Sequence, residues 1–212
     1  MSVNFNSTET EREILNEARR LLGNYLADYL LSGLGETSVT HCRAFTALSI
    51  SPHSENVLYQ LKMINESEQG LPRERDPLVL AAMLLKLFER QPLNSTICFP
   101  ESEIMQILRW PQSDKSRSLV RRALERYLLT AFYLINPAYA EEERIFGRYA
   151  SFRRLLVGYE TPWLLLPLKR TASQGLARVM FLSEFIHEVR LEGKRFLGIE
   201  FQKLREMQEI PC

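Results

Sequence analysis

The sequence predicts a helix-rich α+β fold, and three observations carry that expectation. A helix start at Thr8 leads into a long apolar stripe, an almost wholly apolar helix follows Asp76-Pro77, and beyond it short helices alternate with short β-prone runs. The 212 residues, 45% hydrophobic and 25% charged, have the composition of an ordinary globular protein and suffice for one large domain or one domain with an appendage.

Thr8 and Glu11 form a capping box, with Ser7 as an alternative N-cap. Ile14, Leu15, Ala18, Leu21, Leu22, Tyr25, Leu26, Tyr29 and Leu30 then recur at helical spacing until Ser32, Gly33 and Gly35 end the helix. The stripe has two readings, packing on the rest of the chain or a homodimer seam. From Glu36 to Gln69 the signals weaken to short strands on either side of a Ser51-Pro52 turn. Asp76 reads as an N-cap with Pro77 at the first helical position, and LVLAAMLLKLF is apolar on nearly every side, as befits a helix in mid-core.

Gln91-Pro92 closes that helix, and Thr96 to Phe99 form a short strand. Pro100 opens a second helix, ESEIMQILRW, which Pro111 ends. A third starts near Ser113 with Val120, Ala123, Leu124, Tyr127 and Leu128 on one face, and runs into the strand AFYLI. A polar excursion and a returning strand, YASFRRLLVGYE, follow. Helix, strand, helix, tight turn, helix and hairpin is the element order of a winged helix-turn-helix, with this hairpin as the wing. The expected organisation is an N-terminal helix with a small α/β appendage over residues 1–69 and a winged-helix domain over 70–212.

Charge is informative only locally. The net +1 divides into −4 over residues 1–70, +3 over 71–135 and +2 over 136–212, and from Arg109 to Arg126 six basic residues face two acids. At 100° per residue, Lys115, Ser118, Arg122, Glu125 and Leu129 lie opposite the third helix's apolar face, with Arg121 and Arg126 flanking. A recognition helix presents such donors to guanine edges and phosphates. The expected DNA-binding residues are Arg109, Lys115, Arg117, Ser118, Arg121, Arg122 and Arg126, joined by Arg148 and Arg153 of the wing. Lys169-Arg170 is a further basic pair with no assigned place. The alternative is that the face is an ordinary solvated one.

Enzymatic motifs are absent from the chain, including G-x-x-x-x-G-K-S/T, G-x-G-x-x-G, H-E-x-x-H and G-x-S-x-G. His41-Cys42 are adjacent, with nothing nearby to complete a nucleophile and base. No catalytic residue, metal or cofactor is expected. The N-terminus does not read as a secretory signal, and the longest apolar run, Leu78 to Leu85, is far short of the roughly 20 residues that span a bilayer. Cys42, Cys98 and Cys212 are odd in number and lack C-x-x-C spacing, so ordinary thiols in a reducing, cytoplasmic setting are expected, with no membrane partner.

GLPRERDPLVLAAMLLKLF and CFPESEIMQILRWPQSDKSRSLVRRALERYLLTAFYLI resemble the first winged-helix domain of plasmid replication initiators of the replication initiator protein A type. ARVMFLSEFIHEVRLEGKRFLGIEFQKLREM resembles that family's later segment, a strand and then two helices. The resemblance covers about Gly70 to Met207, with a gap from Ala138 to Gly175. It implies a non-catalytic protein that binds origin repeats in double-stranded DNA and recruits host replication proteins. The recognition role then falls on Lys115, Arg117, Arg121 and Arg122. Family members continue into a second winged-helix domain, which a chain ending at Cys212 is expected to lack. A transcriptional regulator on the same scaffold and a protein-interaction or dimerisation module are the rival readings.

Overall fold

The computed structural model describes residues 8–49, 57–89, 96–135, 150–154, 156–160, 176–182, 185–186, 195–196, 199–200 and 204–211. Their elements in chain order are α1 (Glu9–Leu22), α2 (Asn24–Leu30), β1 (Cys42–Ser49), β2 (Val57–Ile64), α3 (Asp76–Glu89), β3 (Thr96–Pro100), α4 (Glu101–Ile107), α5 (Asp114–Leu129), β4 (Ala131–Ile135), β5 (Ala150–Arg154), β6 (Leu156–Glu160), β7 (Leu176–Phe181), β8 (Arg195–Phe196), β9 (Ile199–Glu200) and β10 (Leu204–Ile210). The fold is α+β.

The capping box is present in full. Thr8 Oγ1 accepts from the Glu11 N–H at 3.3 Å, and Glu11 Oε2 accepts from the Thr8 N–H at 2.9 Å. The single helix expected to reach Leu30 is instead two. Gly23 adopts φ 75°, ψ 153°, a region essentially reserved for glycine, and there the chain turns before α2 begins. The apolar stripe continues through the break and is buried within the chain. Ile14, Ala18, Leu22, Leu26, Tyr29 and Leu30 all belong to one core cluster with α3. That placement is the reading in which the stripe packs on the rest of the chain, with Leu15, Leu21 and Tyr25 only partly buried.

α3 lies in mid-core, with Asp76 through Leu84 and then Leu87 buried. It takes that position because it has no polar face to turn toward water. Lys86 near its end pairs with Glu103 of α4.

The larger sheet is five-stranded in the order β10-β1-β2-β4-β5, and its described pairings are antiparallel. A three-stranded sheet runs β3-β7-β6, and β8 pairs with β9. Residues 1–69 and 70–212 therefore share one sheet, since β1 and β2 are flanked by β10 and β4, and the boundary expected near residue 69 falls inside a common core.

The hairpin read as the wing is differently employed. β4 and β5 pair from Ala131↔Arg154 to Ile135↔Ala150, yet they extend β2 rather than joining β3, whose partner is β7. The cause lies in Phe132. It is fully buried and packs edge-on to Tyr29 with centroids 5.8 Å apart, and Tyr29 in turn meets Phe45 at 5.6 Å, so the N-terminal aromatic cluster captures β4. The returning segment divides between β5 in one sheet and β6 in the other. The excursion 136–149 lies outside the described residues.

Two further expectations are corrected. The leucine-rich helix implied near the C-terminus is, from Leu204, the strand β10, with Met207 opposite Ala47 and packed against the core. Cys42 is disulfide-bonded rather than a plain thiol. The antiparallel register of β10 on β1, with Ile210 opposite Ala44, brings the chain's C-terminal part beside the start of β1. Cys212 lies outside the described residues. No helix among the described residues is long and apolar enough to cross a membrane.

Candidate nucleic-acid interface

α4, a short turn and α5 present the basic surface. α4 ends in a Schellman motif: the Arg109 N–H donates to the Gln106 carbonyl at 3.0 Å and the Trp110 N–H to the Met105 carbonyl at 2.8 Å. Arg109 holds the left-handed position of that motif with φ 51°, where glycine is usual. Trp110 and Met105, the pair whose apolar contact seals such an ending, are both buried. Ser113 caps α5, its Oγ accepting from the Ser116 N–H at 3.2 Å.

The inner face of α5 is Val120, Ala123, Leu124 and Tyr127, all buried. The Tyr127 hydroxyl donates to the Leu30 carbonyl at 3.1 Å, and burial pushes its ionisation well above the usual tyrosine range. The opposite face carries Lys115, Ser118 and Arg122, all exposed, at positions i, i+3 and i+7 of one helical stripe. Arg122 Nε donates to the Ser118 carbonyl at 3.4 Å. Arg109, also exposed, adds a cation at the turn before the helix. These four expected residues lie on the solvent side of the same helix-turn-helix.

The others are placed differently. Arg117 is partly buried and pairs with the exposed Asp114 at 2.9 Å, and Arg121 is partly buried on the flank. Arg126 corrects the expectation outright: it is buried, and its guanidinium donates to Asp76 Oδ2 at 2.7 Å, so it braces α5 on the start of α3 and offers nothing to solvent. Around it Asn65 Nδ2 and the Thr130 hydroxyl donate to the Arg126 carbonyl at 3.2 and 2.6 Å. Gln69 Nε2 donates to Glu125 at 3.1 Å, so Glu125 is also engaged. Asp76 does not cap its own helix but turns back to accept from the Arg73 N–H at 2.9 Å. Burial holds its carboxyl above the ordinary aspartate range, against the lowering pull of that N–H and of Arg126. Arg153 sits on β5 opposite Phe132 in register, while Arg148, Lys169 and Arg170 lie outside the described residues.

Sequence reasoning missed three residues at the turn. Trp110 Nε1 donates to Glu11 Oε1 at 3.2 Å, Arg75 lies 3.9 Å from that oxygen, and the Arg75 guanidinium sits over the Trp110 ring, 5.6 Å from its centroid. The capping box made Glu11 visible, but nothing local signalled its contact 99 residues away. Among the described residues no group of three His, Cys, Asp or Glu side chains is placed to hold a metal ion.

No protein-family model matches the chain, and no curated protein matches it. Its fold resembles that of RctB domains 2 and 3. The crystal structure of RctB 155–483 superposes with a TM-score of 0.55 at 14% identity, covering 76% of this chain and 58% of that one. A selenomethionine derivative of the same two domains gives 0.54 at 14%, covering 80% and 62%. The chain thus spans less than two thirds of the RctB chains it matches, and at this identity the likeness is one of fold.

Proposed function

We propose that the chain is a non-catalytic, sequence-specific DNA-binding protein of the replication-initiator kind, acting on double-stranded origin repeats through α5. The observation that carries this reading is the exposed stripe Lys115, Ser118 and Arg122, continued at the turn by Arg109. Cations in that arrangement, on the second helix of a helix-turn-helix, reach both base edges and the flanking phosphates. Two observations support it. In the sheet β3-β7-β6 the strand that follows α3 lies beside the last strand of the hairpin, which is the strand order of a winged helix. The fold is also like that of domains 2 and 3 of RctB, a replication initiator. In this reading the wing is the β6–β7 hairpin, not β4–β5, and its connection, 161–175, lies outside the described residues. Host replication proteins would be further partners of such an initiator.

The test is a binding titration across salt concentration. The variant Arg109→Ala/Lys115→Ala/Arg122→Ala should bind duplex DNA at least tenfold more weakly, with its salt slope reduced by up to about 0.9 for each phosphate that is no longer neutralised. Equal affinity and slope in the triple variant would remove α5 from the interface.

A further inference from the structure

We infer that Glu11 is a positioning residue for DNA recognition, acting through Trp110 to fix the turn that aims α5; this rests on the reading of α5 as the recognition helix. Glu11 is 1% exposed and its two carboxylate oxygens serve different parts of the chain. Oε2 accepts from the Thr8 N–H and closes the cap of α1, which is all that α1 requires. Oε1 accepts from Trp110 Nε1, with Arg75 alongside at 3.9 Å.

Trp110 is the residue at which the α4–α5 turn can be held. It directly follows the left-handed Arg109, and its own N–H closes the Schellman motif. Only Pro111 and Gln112 separate it from Ser113, the cap of α5. Its ring lies under the Arg75 guanidinium and its indole N–H ends on Glu11, so the ring is fixed both in plane and in rotation. The α1 cap, the loop before α3 and the helix-turn-helix turn thereby meet at one carboxylate. A small error in the turn becomes a larger one along the 16 residues of α5, and base contacts depend on angstrom-level placement. Removing either partner leaves a buried polar group without its bond, which the turn relieves by moving.

The experiment uses the full chain and the duplex that it enriches from a randomised library, with an unrelated duplex of equal length as reference. Trp110→Phe keeps a ring under Arg75 but removes the N–H, whereas Glu11→Gln keeps a capping-box side chain with one acceptor oxygen instead of two. Each should bind the selected duplex about tenfold more weakly, the scale of one hydrogen bond to a charged group. The unrelated duplex and the salt slope should be unaffected, because every cation that faces a phosphate is kept. The double variant should be no weaker than the worse single one. Thr8→Ala, which weakens the α1 cap alone, should bind as the unchanged chain does, and thermal melts confirm that each variant is folded at the assay temperature.

Wild-type affinity in Trp110→Phe and Glu11→Gln would overturn the inference, and so would an equal loss in Thr8→Ala, which would make the effect one of α1 stability. If the unchanged chain enriches no duplex at all, the recognition-helix reading falls and this inference falls with it. Binding by the unchanged chain with unaltered variants removes the inference alone.

Discussion

Arg109 occupies a backbone conformation that an L side chain reaches only at a penalty of roughly 1–2 kcal/mol. Glycine would end α4 without that penalty, and in the proposed DNA-binding reading the exposed arginine supplies a charge that glycine cannot. Arg109→Gly should raise the urea midpoint, by up to about 1 kcal/mol in stability, while weakening duplex binding. A variant that gains stability and loses no affinity would show the arginine to be idle. Arg126 is the opposite case, an arginine whose charge is confined to the interior. Arg126→Met strands a buried Asp76 carboxylate and should cost about 3–5 kcal/mol in urea unfolding; Asp76→Asn/Arg126→Met should recover much of it. The folded chain also holds the Asp76 proton more tightly than the unfolded chain does, because its folded value is raised. That contribution favours folding fully below the ordinary aspartate value and is lost as pH rises through the raised one, so Asp76→Asn should remove this slope from the stability–pH curve.

At the scale of elements, α1 and α2 illustrate what periodicity can and cannot reveal. Leu22 is fully buried on the last turn of α1. Leu22→Glu should therefore cost at least about 3 kcal/mol and broaden or abolish cooperative unfolding. A folded Leu22→Glu chain of reduced mass by size exclusion would instead mark the stripe as a dimer seam. Features set within a turn or two of chain were legible: the Thr8–Glu11 cap, the start of α3 at Asp76-Pro77, the Ser113 cap and the span of β4. The exposed stripe of α5 was also legible, since it follows from where its apolar residues fall. Arg126 was misassigned because helical angle alone puts it on the flank, and only Asp76, 50 residues earlier, draws it inward. Gly23 could not be read as a break, since the apolar spacing runs through it undisturbed. The tail from Leu204 was misread because its leucine and methionine suit a helix as well as a strand, and what decides is the open edge of β1.

The whole molecule is organised by strands that pair across long stretches of sequence. β1 and β2 form a local hairpin, but β4 and β5 close one side of it after α5, and β10 closes the other last of all. The Tyr29–Phe45–Phe132 cluster and the buried Arg43, which pairs with Glu36 near its own hairpin and with Glu209 of β10, join these distant pieces into one body. The basic stripe of α5 is therefore held by a core to which both ends of the described chain contribute. The helix that carries the basic stripe depends on pairing decided far from it.

β10 has a further consequence in time. Roughly 150 residues separate Ser49 from Leu204, and at a synthesis rate of about 5–20 residues per second β1 waits on the order of 10 to 30 s for the strand that covers it. Throughout that interval a nascent chain on the ribosome carries a bare row of backbone donors and acceptors, open to any neighbouring chain. Slower translation lengthens this window and faster translation shortens it, so the yield of the folded protein should depend on the pace at which the chain from β1 to β10 is made.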